Sequence, residues 1–274
     1  MFASALIVCR EVMEAALVIG IVMASTRGLA LRGRFVAAGV AGGLGVAVLL
    51  AFFAGQLSAS FAGVGQELFN ASVLFAAVVM LAWHNIWMSR HGKEIAQRLS
   101  LVGRDVAAGR RSLAALAIIV GLAVMREGSE VVLFLFGVAA AEGGQAMPIV
   151  LGSAIGVLAG AAIGFALFFG LTRVPQRLFF RVTTWLIAFL AAGMAAQGAQ
   201  FLVAADLLPA LGDAVWDSSA LLSEDSLAGR FLHGLIGYTA QPSGIQLAFY
   251  AVTLVALAWF TRQASAKPVN SGKA

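Results

Sequence analysis

Two segments of this chain carry ionisable residues in a pattern able to hold a cation. Arg10-Glu11-Val12-Met13-Glu14 is followed by AALVIG, and Arg126-Glu127-Gly128-Ser129-Glu130 by VVLFLFG. The shared form, R-E-x-x-E and then an apolar run to glycine, returns after 116 residues. On a helix, Arg10 and Glu14 stand at i,i+4 and Glu11 and Glu14 at i,i+3, so all three lie near one face; Arg126, Glu127 and Glu130 repeat that geometry. One arginine neutralises one carboxylate, leaving about one negative charge per motif and about two for a facing pair, by the formal charges of the side chains. Oxygen donors with that charge suit a hard divalent or trivalent cation: iron, manganese, magnesium or calcium. Proton relay is the other chemistry open to paired carboxylates. A pair of salt-bridged helix locks without a substrate is the structural alternative.

The elements that must position these groups are membrane helices. Of 274 residues, 61% are hydrophobic and 11% charged, and the mean hydropathy is +0.95. Soluble chains carry about 25% charged residues, so there is too little charge here to coat a water-facing surface. That excludes a cytosolic enzyme, a disordered tail and a nucleic-acid binder. The lone Cys9 allows no internal disulfide. A crossing needs about 20 mostly apolar residues, and seven stretches qualify: 2–24, 35–57, 66–89, 113–136, 147–171, 179–204 and 244–261. The first is not a cleavable signal, because Arg10, Glu11 and Glu14 interrupt its apolar core.

Placement of Lys and Arg orients the chain. Fifteen of the 18 fall in the loops after the first, third and fifth stretches and in the tail, against Arg230 alone on the opposite side. By the positive-inside rule the N-terminus is outside and the C-terminus cytosolic. The repeat then has a topological meaning. A shift of 113 residues aligns Gly39 and Gly43 with Gly152 and Gly156, and each unit holds three helices, so the second enters from the opposite face, as in many secondary transporters. The expected fold is an all-α integral membrane protein: seven transmembrane helices, a three-plus-three inverted repeat and one C-terminal helix. Its parts are a first repeat over 1–90, a basic cytosolic loop over 91–112 and a second, inverted repeat over 113–205. An acidic outer loop over 206–243, a seventh helix over 244–262 and a cytosolic tail over 263–274 follow.

Depth brings the motifs together. At 1.5 Å per residue, Glu11 and Glu14 lie roughly 13–18 Å below the outer end of their helix, and Glu127 and Glu130 roughly 9–14 Å below theirs. Each intramembrane charge costs roughly 2.5–3.5 kcal/mol, so partners have to offset it. Other groups admit two readings. His84 and Met88 share a face about 27 Å or more below the outer end of the third helix; they pack, or they pass a cation onward to the cytosolic side. Met13 and Met125 adjoin the motifs as filler or as sulfur donors. Trp83 and Trp87 read as packing or headgroup anchors. Gly152, Gly156, Gly160 and Gly164 read as a close-packing stripe. Asp206, Asp213, Asp217, Glu224 and Asp225 of the outer loop, and Glu142 after the fourth helix, either draw cations or are simply solvated. The basic segment after the third helix reads as an orientation signal that touches anionic lipid.

The doubled R-E-x-x-E in the first and fourth of seven helices resembles the oxidase-dependent iron permease family, which includes a bacterial EfeU-type branch. Gln66-Glu67-Leu68-Phe69 through Trp83-His84-Asn85-Ile86-Trp87-Met88 to His91 is similar to that family's third helix, and Gly237-Tyr238 with Gln241-Pro242-Ser243 to the stretch before its last. The resemblance spans most of the chain. It departs where many relatives carry an E-x-x-E at the outer end of the third helix; here Glu67 is followed by Asn70. The resemblance implies iron uptake across the plasma membrane, with Glu11, Glu14, Glu127 and Glu130 coordinating the ion; Arg10 and Arg126 are expected to hold those carboxylates apart, and the compact length and short loops favour a bacterial inner membrane. Glu67, His84 and Met88 are further candidates along the path. Iron is then cargo, with no permanent cofactor, and an extracytoplasmic oxidase or iron-binding protein is the implied partner. Two alternatives stay open: transport of another metal such as manganese or lead, and a membrane-embedded carboxylate metalloenzyme. Di-iron carboxylate enzymes usually add Glu-x-x-His ligands, and neither motif contains a histidine.

Overall fold

The computed structural model describes residues 1–60, 65–141, 143, 146–170, 176–212 and 214–266. Every regular element among them is helical: α1 (Phe2–Ser25), α2 (Arg32–Ser60), α3 (Gln66–Ala107), α4 (Ala114–Ala141), α5 (Ala146–Phe168), α6 (Gln176–Ala204), α7 (Leu227–Ile236) and α8 (Gly244–Ala266). Long apolar runs form helices because a helix satisfies its own backbone polar groups where no water can. Where runs end, side chains and glycines take over. Thr26 Oγ1 donates to the Val22 carbonyl at 2.7 Å and Arg32 Nη1 to the Met23 carbonyl at 3.0 Å, which satisfies acceptors left open at the end of α1. Gly28, at φ +90°, then turns the chain toward α2.

Among the described residues, five helices are long and apolar enough to cross a membrane: α2, α3, α5, α6 and α8. α1 and α4 are as long, but each carries three ionisable residues in mid-helix. The bundle is apolar outside, and its largely apolar interior encloses a cluster of ionisable side chains. Leu44, Val48 and Phe52 of α2, Ile155 and Leu158 of α5, and Val252 and Val255 of α8 are exposed, a surface water would not tolerate over so large an area. Arg10, Glu11, Glu14, His84, Glu127 and Glu130 are buried.

Helices pack in pairs, α1 on α5, α2 on α4 and α3 on α6, and glycine sets two of these contacts. A Cβ at Gly156 would stand 2.6 Å from the Ala5 carbonyl oxygen, and at Gly160 2.5 Å from that of Cys9. In the other pair, a Cβ at Gly39 would stand 2.5 Å from the Ala117 carbonyl oxygen and at Gly43 2.7 Å from that of Gly121. Any side chain there has to force two backbones apart.

Two stretches differ from the sequence expectation. The basic segment after the third helix, read as a loop from residue 91, continues α3 as helix to Ala107. At 42 residues α3 is about 63 Å long, twice the roughly 30 Å of a hydrocarbon core. The reason is a second apolar face: Val102 and Val106 pack with Val22, Val36, Leu116 and Val120 from α1, α2 and α4. Glu94 pairs with Arg98 along the helix at 2.6 Å, and Asp105 pairs at 2.6 Å with Arg110 just beyond its end.

The acidic segment after α6 is also more ordered than a loop. It contains α7, whose Ser226 side chain accepts from the Gly229 amide at 2.9 Å, and Phe231 of α7 packs edge-on against Phe2 of α1. Glu224 accepts from the Ala240 amide at 2.5 Å, and Asp217 from Gln241 Nε2 at 2.8 Å. Hydrogen bonds from the Ser219 hydroxyl and amide hold the Asp217 carboxyl below its usual range. Two of these acids therefore serve the fold of the segment itself. Glu142 and Asp213 lie outside the described residues.

Gly156→Val and Gly43→Val are each expected to cost at least about 1–3 kcal/mol from overpacking. Gly42→Val, with open space around its Cβ, should be neutral. Thermal unfolding of the three variants in detergent checks this; equal behaviour would mean that the glycine contacts do not set the helix spacing.

Candidate metal centre

α1 and α4 pack against each other and both against α3, which places both R-E-x-x-E segments beside the middle of α3. Within the first motif Arg10 Nη1 is 3.1 Å from Glu11 Oε1, and Nη2 is 3.1 Å from Glu14 Oε1. Within the second, Arg126 Nε is 3.1 Å from Glu130 Oε1 and 4.0 Å from Glu127 Oε1. The i,i+4 spacing makes each arginine's pair with the second glutamate a contact inside one helix. Convergence of the two motifs depends on packing between helices.

The arginines differ in setting despite the repeat. Arg10's side chain is 3% exposed, whereas Arg126's is 36% exposed. Arg126 lays its guanidinium over the Trp87 ring, 4.4 Å from the centroid, and Trp87 stacks on His91. A cation over an indole face is attracted by the ring quadrupole, which offsets the longer 4.0 Å contact of Arg126 to Glu127. Sequence alone reads Trp87 as packing or an anchor; its i,i+3 spacing from His84 is the one signal that puts it on this face of α3.

His84 sits between the motifs. Its Nε2 is 3.2 Å from Glu14 Oε2 and 3.9 Å from Glu11 Oε2, and its Nδ1 pairs with Glu130 Oε2. The sequence reading set His84 deeper than the glutamates, on the way to the cytosolic side. The structure puts it in their layer, because α3 is offset along the bundle relative to α1 and α4. Asn85 beside it is buried too, and its Oδ1 has no hydrogen-bond partner among the described residues.

The donors converge closely. One ligand atom each from Glu11, His84, Glu127 and Glu130 lie within 4.8 Å of one another. Glu11 Oε2 and Glu127 Oε2 are buried with no hydrogen-bond partner among the described residues. Buried polar atoms are nearly always paired, so carboxylate oxygens left open beside each other are suited to accept a cation. Glu11 and Glu127 also line a cleft of about 700 Å³ between α1, α2, α4 and α5, whose other lining residues are apolar or glycine.

The remaining candidates lie apart. Glu67 is exposed in the first turn of α3, about 26 Å along the axis from His84, and is not brought to the group. Met88 stands one turn beyond His84, about 6 Å along α3. Met13 is fully buried in α1.

Removing one member of a buried ion pair typically costs about 3–5 kcal/mol, because the other charge stays buried. Arg10→Ala is therefore expected to destabilise strongly, and Arg126→Ala less, since its side chain is partly exposed and Glu130 keeps His84. Thermal unfolding compares them; a larger loss for Arg126→Ala would overturn this ranking.

Comparison with known proteins points one way. The model of the iron permease FTR1 family matches residues 1–263. A protein of Escherichia coli O6:H1 named "Ferrous iron permease EfeU" is 33% identical over 259 residues, covering 93% of each chain. A Shigella sonnei protein of the same name is also 33% identical, again covering 93% of each. The Yersinia pestis protein of that name is 31% identical over 259 residues, 93% of this chain and 91% of its own. No solved structure matches.

Proposed function

The chain belongs to the iron permease FTR1 family, and on that premise we propose that it carries iron inward across a bacterial inner membrane, through a layer formed by Glu11, Glu14, Glu127 and Glu130. The observation that carries this reading is the meeting of both motifs in one buried group, with carboxylate oxygens left without hydrogen-bond partners among the described residues. Iron is the cargo, and ferrous iron is favoured because the relatives are named for it. The family and its relatives are permeases, so the chain is a transporter and not an enzyme.

An entering cation exchanges water for carboxylate oxygens. Four carboxylates against two guanidiniums leave a formal charge of about −2, enough to attract a divalent ion. Arg10 and Arg126 hold four glutamate oxygens at 3.1–4.0 Å, which limits how deeply the ion is bound and so permits release. Conduction needs both entry and escape.

We read α1–α3 and α4–α6 as inverted halves, with α8 as the seventh crossing. The glycine contacts support this reading. Gly39 against Ala117 and Gly43 against Gly121 become Gly152 against Met1 and Gly156 against Ala5 when α2 is shifted by 113 residues and α4 back by 116. The fifteen-to-one distribution of Lys and Arg supports an outer N-terminus and a cytosolic C-terminus. The segment 206–243 then faces outward, where an extracytoplasmic oxidase or iron-binding protein would hand over the ion.

Uptake of radioactive iron into vesicles containing the purified protein tests this. Wild type should take up ferrous iron, and Glu14→Gln and Glu130→Gln should each lose about tenfold or more, the scale of loss when a metal site's supporting groups are changed. Uptake undiminished in both variants, at normal protein levels, would reduce the motifs to structural ion pairs.

A further inference from the structure

An oxygen-only layer has a weakness as an iron site, since carboxylates accept calcium, magnesium and manganese as readily as iron. Charge alone cannot sort these ions, and the two motifs supply nothing but carboxylates and guanidiniums. Nitrogen enters the layer from elsewhere in the fold. His84 belongs to neither motif, lies on α3, is 1% exposed and faces carboxylates of both motifs.

We infer that His84 is a direct ligand of the transported ion, and that its imidazole gives the layer its preference for ferrous iron and similar first-row divalent ions over calcium and magnesium. This rests on the proposed transport reading and deepens it. Three features of the site support it. First, the four donor atoms that come together are three carboxylate oxygens and one imidazole nitrogen, all within 4.8 Å. Ligand atoms about 2.1 Å from a metal stand roughly 3–4.2 Å apart, so the group closes onto an ion with shifts of a few tenths of an ångström. Second, the group is buried and incomplete by itself, with Glu11 Oε2 and Glu127 Oε2 lacking hydrogen-bond partners among the described residues.

Third, the ring is held for the task. Glu14, the one motif glutamate outside that group of four, has its Oε2 3.2 Å from His84 Nε2 while its Oε1 faces Arg10. In the tautomer that donates Nε2–H to Glu14, Nδ1 carries the lone pair and can bind an ion that takes the place of its contact with Glu130. A carboxylate behind a ligating histidine fixes its tautomer and raises its basicity. Imidazole suits iron, zinc, copper and nickel, whereas calcium and magnesium keep to oxygen. As a neutral ligand it adds selectivity without deepening the negative charge that the ion must leave behind.

The test uses the full-length protein in nanodiscs, loaded anaerobically with ferrous iron. Iron K-edge absorption reads the ligands through the outer-shell scattering of a coordinated imidazole. Displacement of radioactive iron by calcium or magnesium reads selectivity. Wild type should show imidazole scattering. His84→Gln, which keeps a hydrogen-bonding side chain of similar reach, should lose it, with ferrous affinity falling about tenfold or more and calcium affinity changing less than about twofold. His84→Ala should behave alike, and size-exclusion profiles matching wild type show that the variants are folded. If His84→Gln keeps the scattering and the affinity, or loses iron and calcium affinity equally, His84 is a structural bridge and the inference fails while the carboxylate layer stands. If wild type binds no iron, the transport reading itself fails.

Discussion

Everything in this bundle is arranged around the cost of burying charge. Six ionisable side chains from two motifs lie inside a protein whose outer surface is apolar, and in so poor a dielectric each needs a partner within a few ångströms. α1 cannot meet that requirement alone: Arg10 binds both glutamates of its motif, but Glu11 keeps an oxygen open and Glu14 turns its second oxygen to His84. α4 is in the same position. Convergence of α1, α3 and α4 is thus an electrostatic demand, and the glycines of α2 and α5 answer it sterically. They let the outer helices lie directly on α4 and α1, so the charged faces turn inward to one another.

The two motifs match in sequence but not in setting. Arg10 is enclosed and holds both carboxylates of its motif, while Arg126 is partly exposed and rests on Trp87. The difference arises from α3, which meets both motifs with different side chains. It places His84 between Glu14 and Glu130 and carries Trp87 onward to Arg126 alone. A group to which α3 adds one imidazole between the motifs and one indole on Arg126 alone is not symmetric.

The sequence argument against a metalloenzyme relied on the lack of histidine in either motif, and the fold weakens that argument by bringing His84 from another helix. What decides the matter is family: the chain matches an iron permease family over residues 1–263, and its relatives are named as permeases. A mixed set of oxygen and nitrogen donors is compatible with transport as well as with catalysis. For a transporter the balance differs, because the ion has to leave as well as enter.

Much of this was legible in the chain itself. Apolar runs of membrane length, the doubled R-E-x-x-E and the glycine register depend on local spacing, and local spacing is written in sequence; the resemblance to iron permeases rested on the doubled motif, the 66–91 segment and the 237–243 stretch, and agrees with the family that matches. The extension of α3 to Ala107 was hidden because its basic residues disguised a second apolar face, which has meaning only against Val22 and Leu116. α7 was hidden for a similar reason, since ten residues hardly form a helix without a surface such as Phe2 to dock on. The place of His84 was the furthest from reach. Its depth depends on how α3 slides along α1 and α4, a quantity set by side-chain packing between helices and by the pull of buried carboxylates, and no spacing within one helix encodes it. Sequence determined which groups could hold a cation. Tertiary structure alone decided that an imidazole stands among them.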